Sequence, residues 1–268
     1  GYPMAGHLQK KGYNVTVFNR TDSKTQKWIK EHSGQMGKTP AEACLNAQIV
    51  FMCVGRDKDI IEVMEGDSGI LSSAKEGLII VDHTTASAEI ARTYFEKLQK
   101  HNISFLDAPI SGGQAGAENG ILSIMLGGER KDFDIVKPVL QSYGKAIELI
   151  GSSGSGQIAK MINQICIAGL VQGLSEGMAF GKKANVDMEK VLSVISKGAA
   201  QSWQMENRYR TMLDGKFDYG FAVDWMRKDL SICFNEASKN GAMLPVTKIV
   251  DKYYEEVQKN GGNRFDTS

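Results

Sequence analysis

Short apolar runs that alternate with helical patterns constrain the fold of the first 150 residues more than any other feature. The runs QIVFMCV (48–54) and GLIIVD (77–82) are almost free of polar residues, as expected for strands covered on both faces. Segments with helical spacing follow each of them, at 57–65 and 87–101. Strands that alternate with helices predict a largely parallel, doubly wound sheet.

Other segments extend this alternation in both directions. A helix is predicted from Pro3 to Lys11, and a strand over YNVTVFN (13–19). Thr39 and Pro40 have the residue types of an N-cap and a first helical position, which predicts a helix over 40–46. Further strands are predicted at 103–110, 121–126 and 145–150.

The pattern changes after Gly151. SSGSG (152–156) has the composition of a flexible hinge, and one long helix is predicted over 157–184. Glycines recur on it at every fourth residue: Gly169, Gly173, Gly177 and Gly181. Each glycine costs about 1 kcal/mol relative to alanine in a helix interior. Such a row of glycines therefore predicts close approach of another helix. Helices are also predicted near 187–197, 201–213, 221–240 and 244–259. We therefore predict an α/β domain over 1–151 and an all-helical domain over 152–268, joined by the long helix.

Composition excludes several classes of function. A formal net charge of +1 indicates no general attraction to nucleic acid or acidic membranes. No apolar run near 18 residues is evident, which predicts no transmembrane helix. No signal peptide is visible, so the cytoplasm, or an organelle matrix if a targeting segment was removed, is expected. The four cysteines have no metal-like or redox spacing and are expected to be buried free thiols. No metal site is predicted.

Two stretches have residues suited to binding a small acid and moving a proton. In DAPISGGQAGAENG (107–120), Ser111, Gly112 and Gly113 follow a strand end and could offer a hydroxyl and exposed amides to a carboxylate. From spacing alone, an ordinary glycine-rich turn is the favoured interpretation. In GSSGSGQIAKMINQ (151–164), Lys160, Asn163 and Gln164 lie on one helix face, where a cleft between domains would open. A solvated helix face would show the same spacing.

A third stretch, FAVDWMRKDL (221–230), contains Lys228 and Asp229, which by base rate form a surface charge pair. Taken together and in this order, the three stretches resemble the motifs of the β-hydroxyacid dehydrogenase family. That family includes the 3-hydroxyisobutyrate dehydrogenases and tartronate semialdehyde reductases. DAPISGG resembles its substrate-binding signature, GSGQIAKMINQ its catalytic-lysine motif and RKDL its late lysine–aspartate motif. The opening GYPMAGHL resembles the end of the cofactor fingerprint G-x-G-x-M-G-x-P-M-A. The resemblance covers essentially the whole chain and implies a Rossmann domain followed by a helical domain.

The resemblance also implies roles for individual residues. Ser111, Gly112 and Gly113 would hold the substrate carboxylate. Lys160, neutral in the oxidative direction, would take the hydroxyl proton. Asn163 would help to hold the substrate and Gln164 would assist, although some family members have asparagine at the second position, so either amide could make the contact. Lys228 would line the cofactor side, oriented by Asp229.

The remaining cofactor contacts implied by the resemblance lie in the first domain. Gly1 would be the third fingerprint glycine, and about ten residues of strand and turn would be absent before it. Asn19, Arg20 and Thr21 end the second strand of such a unit. An arginine there accommodates a 2′-phosphate, so NADP(H) is expected in preference to NAD(H), although a simple loop charge is the alternative for Arg20. By motif position Cys53, Val54, Lys58 and Thr85 would also border the dinucleotide.

Several functions remain open at this stage. The candidate substrates are 3-hydroxyisobutyrate, tartronate semialdehyde, succinic semialdehyde, glyoxylate and L-serine. Imine reductases generally lack a lysine at the position of Lys160, which argues against that activity. The lysine also argues against a non-catalytic dinucleotide-binding module. Trp203 could shape the pocket, although a tryptophan on a helix is more often part of the core. The family suggests a homodimer or homotetramer that acts on a small carboxylate.

Overall fold

The computed structural model describes all residues from 1 to 268 and divides them into two compact units, Gly1–Lys160 and Met161–Ser268, each considered by itself. The strands of the first unit are β1 (Thr16–Val17), β2 (Gln35–Met36), β3 (Ile49–Met52), β4 (Ile79–Asp82), β5 (Ser104–Asp107), β6 (Ile110–Ser111), β7 (Leu122–Gly127) and β8 (Gly144–Gly151). Its helices are α1 (Tyr2–Lys10), α2 (Asp22–His32), α3 (Pro40–Cys44), α4 (Asp57–Glu65), α5 (Ala88–Gln99), α6 (Gly113–Glu118) and α7 (Arg130–Leu140), with a 3₁₀ turn at Ile70–Ser72. Helix α8 (Ser155–Lys183) begins in this unit and continues into the second.

The strands form two sheets rather than one, and four of the six strand pairs are parallel, which confirms the expectation of a largely parallel arrangement. Strands β3, β4 and β5 are parallel neighbours, as predicted. Strand β7 runs antiparallel to β5 and β6, and β8 is parallel to β7, so the six-stranded sheet is mixed. Strands β1 and β2 pair only with each other and contain two residues each. The predicted strand over 13–19 is therefore much shorter than its composition suggested.

The parallel strands are covered on both faces, as their apolar runs predicted. Side chains alternate along β4: Ile79 and Val81 join one apolar cluster with Leu106 and Phe133, whereas Ile80 joins a second with Tyr94. Full burial of one such aliphatic side chain contributes about 1.5–3 kcal/mol. This burial fixes the position of the strand ends, from which the candidate site is built.

Helix starts follow the sequence signals closely. The Thr39 hydroxyl accepts a hydrogen bond from the Glu42 N–H at 3.1 Å, and Pro40 follows as predicted. The Ser87 hydroxyl caps α5 in the same way through the Ile90 N–H, also at 3.1 Å. Each satisfies an N–H that the first helical turn leaves without a partner.

The predicted hinge at 152–156 is not a solvated linker. Ser153 is 8% exposed, and the Gly154 N–H donates to the Asp107 carboxylate at 2.7 Å. This segment is joined to the end of β5, so the composition was misleading.

The second unit contains α9 (Met188–Ile195), α10 (Trp203–Leu213), α11 (Val223–Asn240) and α12 (Pro245–Lys259), all close to the predicted helices. Its core has two clusters, one around Met226, Leu230 and Val250 and one around Leu174 and Leu192. Of the four glycines on α8, a Cβ would meet a close neighbour only at Gly181, against Met188. The expected close approach of another helix at the other three is not found within the chain.

Helix α8 is also long and apolar enough to cross a membrane, judged by length and composition alone, whereas no transmembrane helix was predicted. A core helix of a water-exposed protein meets the same criterion. One such helix is weak evidence of a membrane span; 33% of its most apolar window is buried, as are the polar side chains of Gln157, Lys160 and Gln164.

Two further expectations about burial are wrong. Cys44 and Cys233 are buried free thiols, but Cys53 and Cys166 are exposed. Trp203 is not a core residue, because it is 48% exposed. The Arg208 Cζ lies over the Trp203 ring, 4.8 Å from the ring centre. A helical tryptophan is buried only if its face of the helix meets another element, which the residue type alone does not reveal.

Candidate active site

The start of α1 has the properties of an anion site. Gly1 is the N-cap, no acidic residue occupies the first turn, and a Cβ at Gly1 would lie 3.7 Å from the Cys53 Cβ. The first N–H groups of a helix have no partner within it and attract negative charge. This end of α1, next to the loop that follows β3, can hold a dinucleotide pyrophosphate.

A charged loop follows β1. The Asn19 side chain accepts a hydrogen bond from the Thr21 N–H at 2.8 Å, and Thr21 is the N-cap of α2. The Arg20 side chain is 68% exposed and its guanidinium lies 3.8 Å from the Asp59 carboxylate. A guanidinium so loosely held remains accessible to a phosphate.

The loops after β3 and β4 are joined by a residue that the sequence analysis did not single out. The Val54 N–H donates to the Thr84 hydroxyl at 3.0 Å, and the Thr84 N–H donates to Asp82 at 2.9 Å. This places Val54 and Thr85 in connected loops at the carboxyl ends of two adjacent strands, where ligands bind in open α/β sheets. Cys53 and Lys58 are exposed at the start of the same region.

Two buried carboxyl groups end the neighbouring strands β4 and β5. Asp82 and Asp107 are register partners, 2% and 0% exposed. Burial raises the pKa of Asp82 to about 7, and burial also raises the pKa of Asp107. The signal that could have identified them is an acidic residue at the end of two apolar strands, in LIIVD and SFLD.

The predicted substrate loop has a backbone that requires glycine. Gly112 has φ +129° and Gly113 has φ +62°, immediately after Ser111 at the end of β6. A Cβ at Gly112 would lie 3.2 Å from the Leu122 side chain, whereas at Gly113 it would meet nothing within 4 Å. Open space, and hence room for a ligand, is therefore found at Gly113.

The face of α8 that carries the predicted catalytic lysine is buried rather than solvated. Lys160 is 8% and Gln164 2% exposed, while Asn163 is partly exposed. Gln157, one turn before Lys160, is 1% exposed. The polar groups of this stripe therefore lie inside the protein, where a positioned amine can exchange a proton with a ligand.

Asn163, Gln164 and the late lysine–aspartate pair form one hydrogen-bonded chain in the second unit. The Asn163 amide donates to Gln164 Oε1 at 2.8 Å, and Gln164 Nε2 donates to Asp229 Oδ2 at 2.6 Å. The Lys228 ammonium lies 2.8 Å from Asp229 Oδ1. The expectation of a surface charge pair is wrong for Asp229, which is 2% exposed.

The predicted site residues thus fall into two groups. One group lies in the first unit and ends with Lys160; the other lies in the second unit and comprises Asn163, Gln164, Lys228 and Asp229. Helix α8 carries both Lys160 and the two amides in unbroken helical geometry. No cluster of three or more His, Cys, Asp or Glu side chains could hold a metal ion.

The whole chain matches two adjacent protein families. Residues 1–151 match the NAD binding domain of 6-phosphogluconate dehydrogenase, and residues 154–268 match the family described as NAD-binding of NADP-dependent 3-hydroxyisobutyrate dehydrogenase. An uncharacterized oxidoreductase of Shewanella frigidimarina is 56% identical over 100% of this chain and 92% of its own length.

Two further relatives have named activities. The 2-hydroxy-3-oxopropionate reductase of Escherichia coli is 30% identical over 100% of this chain and 91% of its own length. The crystal structure of a 3-hydroxyisobutyrate dehydrogenase from Salmonella typhimurium superposes with a TM-score of 0.89, covering 100% of this chain and 94% of that one, at 24% identity. At that identity the structure supports the fold alone.

These matches agree with the strand-end loops, the helix N-terminus and the buried lysine. The chain binds a nicotinamide dinucleotide and acts on CH–OH groups of hydroxyacids. It belongs to the β-hydroxyacid dehydrogenase family, as an NAD(P)-dependent 3-hydroxyacid dehydrogenase.

Proposed function

We propose that the protein interconverts a small β-hydroxyacid and its semialdehyde, of the 3-hydroxyisobutyrate or tartronate semialdehyde type. The observation that carries this proposal is the buried lysine of α8, 8% exposed, on a helix whose next turn presents Asn163. The named relative from Escherichia coli reduces 2-hydroxy-3-oxopropionate, which supports the same substrate class. Glyoxylate and succinic semialdehyde reduction is the second candidate activity.

The chain's own groups account for binding and proton transfer. When bound, the nicotinamide supplies or accepts the hydride. The Ser111 hydroxyl and the amides of Gly112 and Gly113 hold the carboxylate, and the open space at Gly113 leaves room for it. Lys160 Nζ takes the hydroxyl proton in oxidation and returns it to the developing alkoxide in reduction.

Asn163 and Gln164 are the two candidate substrate-binding amides on α8, and in this proposal Asn163 is the one that contacts the substrate. Both polar atoms of the Gln164 side chain are already engaged, one with Asn163 and one with Asp229. Gln164 therefore orients Asp229, and through it the Lys228 ammonium on the cofactor side. We expect Asn163→Ala to raise KM for the acid.

The preferred cofactor in this proposal is NADP(H). Arg20 follows β1, where the ribose of a bound dinucleotide is recognised in this fold, and a guanidinium pairs well with a 2′-phosphate. The exposed side chain, held only at 3.8 Å by Asp59, supports this assignment. We place the enzyme in the cytoplasm or an organelle matrix, where this cofactor is available.

The working form is proposed to be a homodimer or homotetramer. Helix α8 presents an exposed stripe formed by Ile162, Cys166, Leu170, Gly173, Gly177 and Phe180. A Cβ at Gly173 or Gly177 would meet nothing within the chain. Glycines without a neighbour in their own chain allow close approach of a second copy.

The decisive experiment is a panel assay of the purified protein. 3-Hydroxyisobutyrate, tartronate semialdehyde, succinic semialdehyde, glyoxylate and L-serine are each tested with NADP(H) and NAD(H). The best acid is then compared with its methyl ester, which should lose several orders of magnitude in kcat/KM because a buried donor left without an acceptor costs about 1–3 kcal/mol. Equal kcat/KM for acid and ester would remove the carboxylate anchor from the proposal. No turnover of any of these compounds would reject the substrate class.

A further inference from the structure

We infer that Gln157 is a positioning residue for Lys160, because its side chain ties the loop that follows β4 to the helix that carries the lysine. The inference rests on the proposed role of Lys160 as the group that exchanges the proton. This glutamine lies within the motif GSGQIAKMINQ, but it is not among the site residues predicted from sequence.

The first observation is the way the amide is used. Gln157 Oε1 accepts a hydrogen bond from the Ala86 N–H at 3.0 Å, and Nε2 donates to the Thr84 carbonyl at 2.7 Å. These two backbone groups lie on either side of Thr85. An uncharged amide is suited to this contact because it offers a donor and an acceptor side by side. The side chain is 1% exposed, so water does not replace either bond.

The second observation is that the backbone of Gln157 is itself held. Its N–H donates to the Asp107 carboxylate at 2.9 Å, and the other oxygen accepts from the Gly154 N–H at 2.7 Å. The carboxylate of β5 therefore satisfies one N–H group just before α8 and one in its first turn, where N–H groups have no partner within the helix. The start of α8 is therefore bound to the ends of two strands. Asp107 on β5 holds its backbone, and the two side-chain hydrogen bonds of Gln157 to Thr84 and Ala86, here called the clamp, hold the loop after β4.

Gln157 lies one helical turn before Lys160 on α8. Residues three apart lie on the same side of a helix, one turn from each other, and Gln157 and Lys160 are both buried. The loop held by Gln157 also carries the Thr84 hydroxyl that accepts from the Val54 N–H. The clamp thus connects the loops after β3 and β4, which border the dinucleotide in the proposed function, to the helix turn that carries Lys160.

This arrangement predicts that loosening the clamp damages turnover more than binding. Misplacement of a reacting group by about 1 Å can cost on the order of 100-fold in rate. The carboxylate cradle at Ser111–Gly113 is not part of the clamp. Loss of the clamp should therefore lower kcat and leave KM for the acid nearly unchanged.

The test uses Gln157→Met, which keeps side-chain length and removes both polar atoms. We expect kcat to fall at least tenfold while KM for the acid changes less than threefold. In the protein without cofactor, amide hydrogen exchange at Ala86 should accelerate, since its acceptor is gone. Gln172→Met on the same helix is the matched control, because the Gln172 amide donates to Glu176 one turn later at 3.2 Å; it should change neither the kinetic constants nor the exchange rate at Ala86.

A second variant keeps the test decisive if Gln157→Met does not fold. In its ionised form Gln157→Glu retains an acceptor for the Ala86 N–H, has no donor for the Thr84 carbonyl and adds a negative charge, and it should also lower kcat with KM nearly unchanged. Faster exchange at Ala86 with wild-type kcat would overturn the inference, as would a rise in KM without a fall in kcat. Wild-type protein that turns over no β-hydroxyacid would reject the proposed function instead, and the Ala86 exchange rate would still report whether the clamp exists.

Discussion

At the scale of single residues, Lys160 carries the strongest expectation. It is buried, so replacement by alanine would leave a cavity, and Lys160→Met is the better variant because it keeps most of the side-chain volume. General acid–base groups are worth about 10² to 10⁴ in rate, and kcat should fall by that order with little change in melting temperature. Lys182→Met, exposed in the last turn of α8, is the matched control. A Lys160→Met enzyme with most of its kcat would exclude the lysine from the chemistry.

At the same scale, Arg20 is the residue that we expect to set the preference for NADP(H) over NAD(H). Arg20→Ala should lower kcat/KM for NADP(H) about tenfold or more and leave NAD(H) almost unaffected, because a hydrogen bond to a charged group contributes about 1.5–3 kcal/mol. Lys24→Ala removes an equal charge from an exposed position nearby on α2 and should not change the ratio. An unchanged preference in Arg20→Ala, or higher kcat/KM with NAD(H) in the wild type, would contradict the assignment.

Two adjacent buried residues, Asp82 and His83, have opposite effects on stability as pH changes. Burial raises the pKa of Asp82 from 3.8 to about 7, so the folded state holds an extra proton in this window and stability falls as pH rises through it. Burial lowers the pKa of His83 from 6.5 to about 4, between the Ala108 carbonyl at 2.6 Å and the Tyr143 hydroxyl at 2.9 Å. Here the unfolded state holds the extra proton, and stability rises with pH between about 4 and 6.5.

The two effects oppose each other in the wild type and can be separated by one substitution. Asp82→Asn keeps an oxygen for the Thr84 N–H and cannot ionise. Its free energy of unfolding relative to wild type should increase as pH rises from about 4 to 7, where it levels off. Urea unfolding of both proteins across this range measures the difference. Parallel pH profiles would show that Asp82 does not titrate with a raised pKa.

At the scale of secondary-structure elements, the substrate loop gives a prediction that distinguishes its two glycines. A Cβ at Gly112 would meet the Leu122 side chain, whereas the open space is at Gly113. Gly113→Ala should therefore raise KM for the acid more than it lowers kcat. Gly77→Ala, at φ +83° with nothing within 4 Å, carries a comparable backbone strain outside the loop. If both variants raise KM equally, the effect comes from global strain and not from the loop.

Helices and buried parallel strands were predictable because their signals are local. Thr39 and Ser87 mark helix starts by side-chain chemistry, and the apolar run of β4 indicates burial on both faces. The antiparallel direction of β7 was not predictable in this way, since strand direction depends on which partner the chain returns to. The short β1 has a strand-like composition over seven residues, yet only Thr16 and Val17 find a pairing partner.

The candidate site was predictable to the extent that its residues occur in recognisable motifs. Lys160, Ser111 and Asn163 were found in this way, and the roles assigned to them stay predictions. Gln157, Asp107 and Thr84 were missed, because their importance depends on hydrogen bonds across 47 to 73 residues of sequence. A glutamine near a helix start has many common explanations, and only its partners at Thr84 and Ala86 distinguish it.

At the scale of the whole molecule, the exposed stripe on α8 predicts a homo-oligomer. Phe180 is 78% exposed, and a Cβ at Gly173 or Gly177, earlier on the stripe, would meet nothing within 4 Å in the same chain. Light scattering should give a mass two or four times 29.3 kDa. Within one chain Gly173→Gln should stabilise the helix slightly, because glycine costs about 1 kcal/mol relative to good helix formers. In the oligomer the same side chain would block close approach of the second copy.

We therefore expect Gly173→Gln to lower the measured mass towards the monomer while helical content by circular dichroism is unchanged. Ala179→Gln places the same side chain at an exposed position on another face of α8 and should leave the mass as in wild type. The comparison separates an interface from a general effect on the helix, since both variants add one glutamine to one helix. A wild-type mass near 29.3 kDa, or an unchanged oligomer in Gly173→Gln, would mean that the stripe is not an interface between copies of this chain.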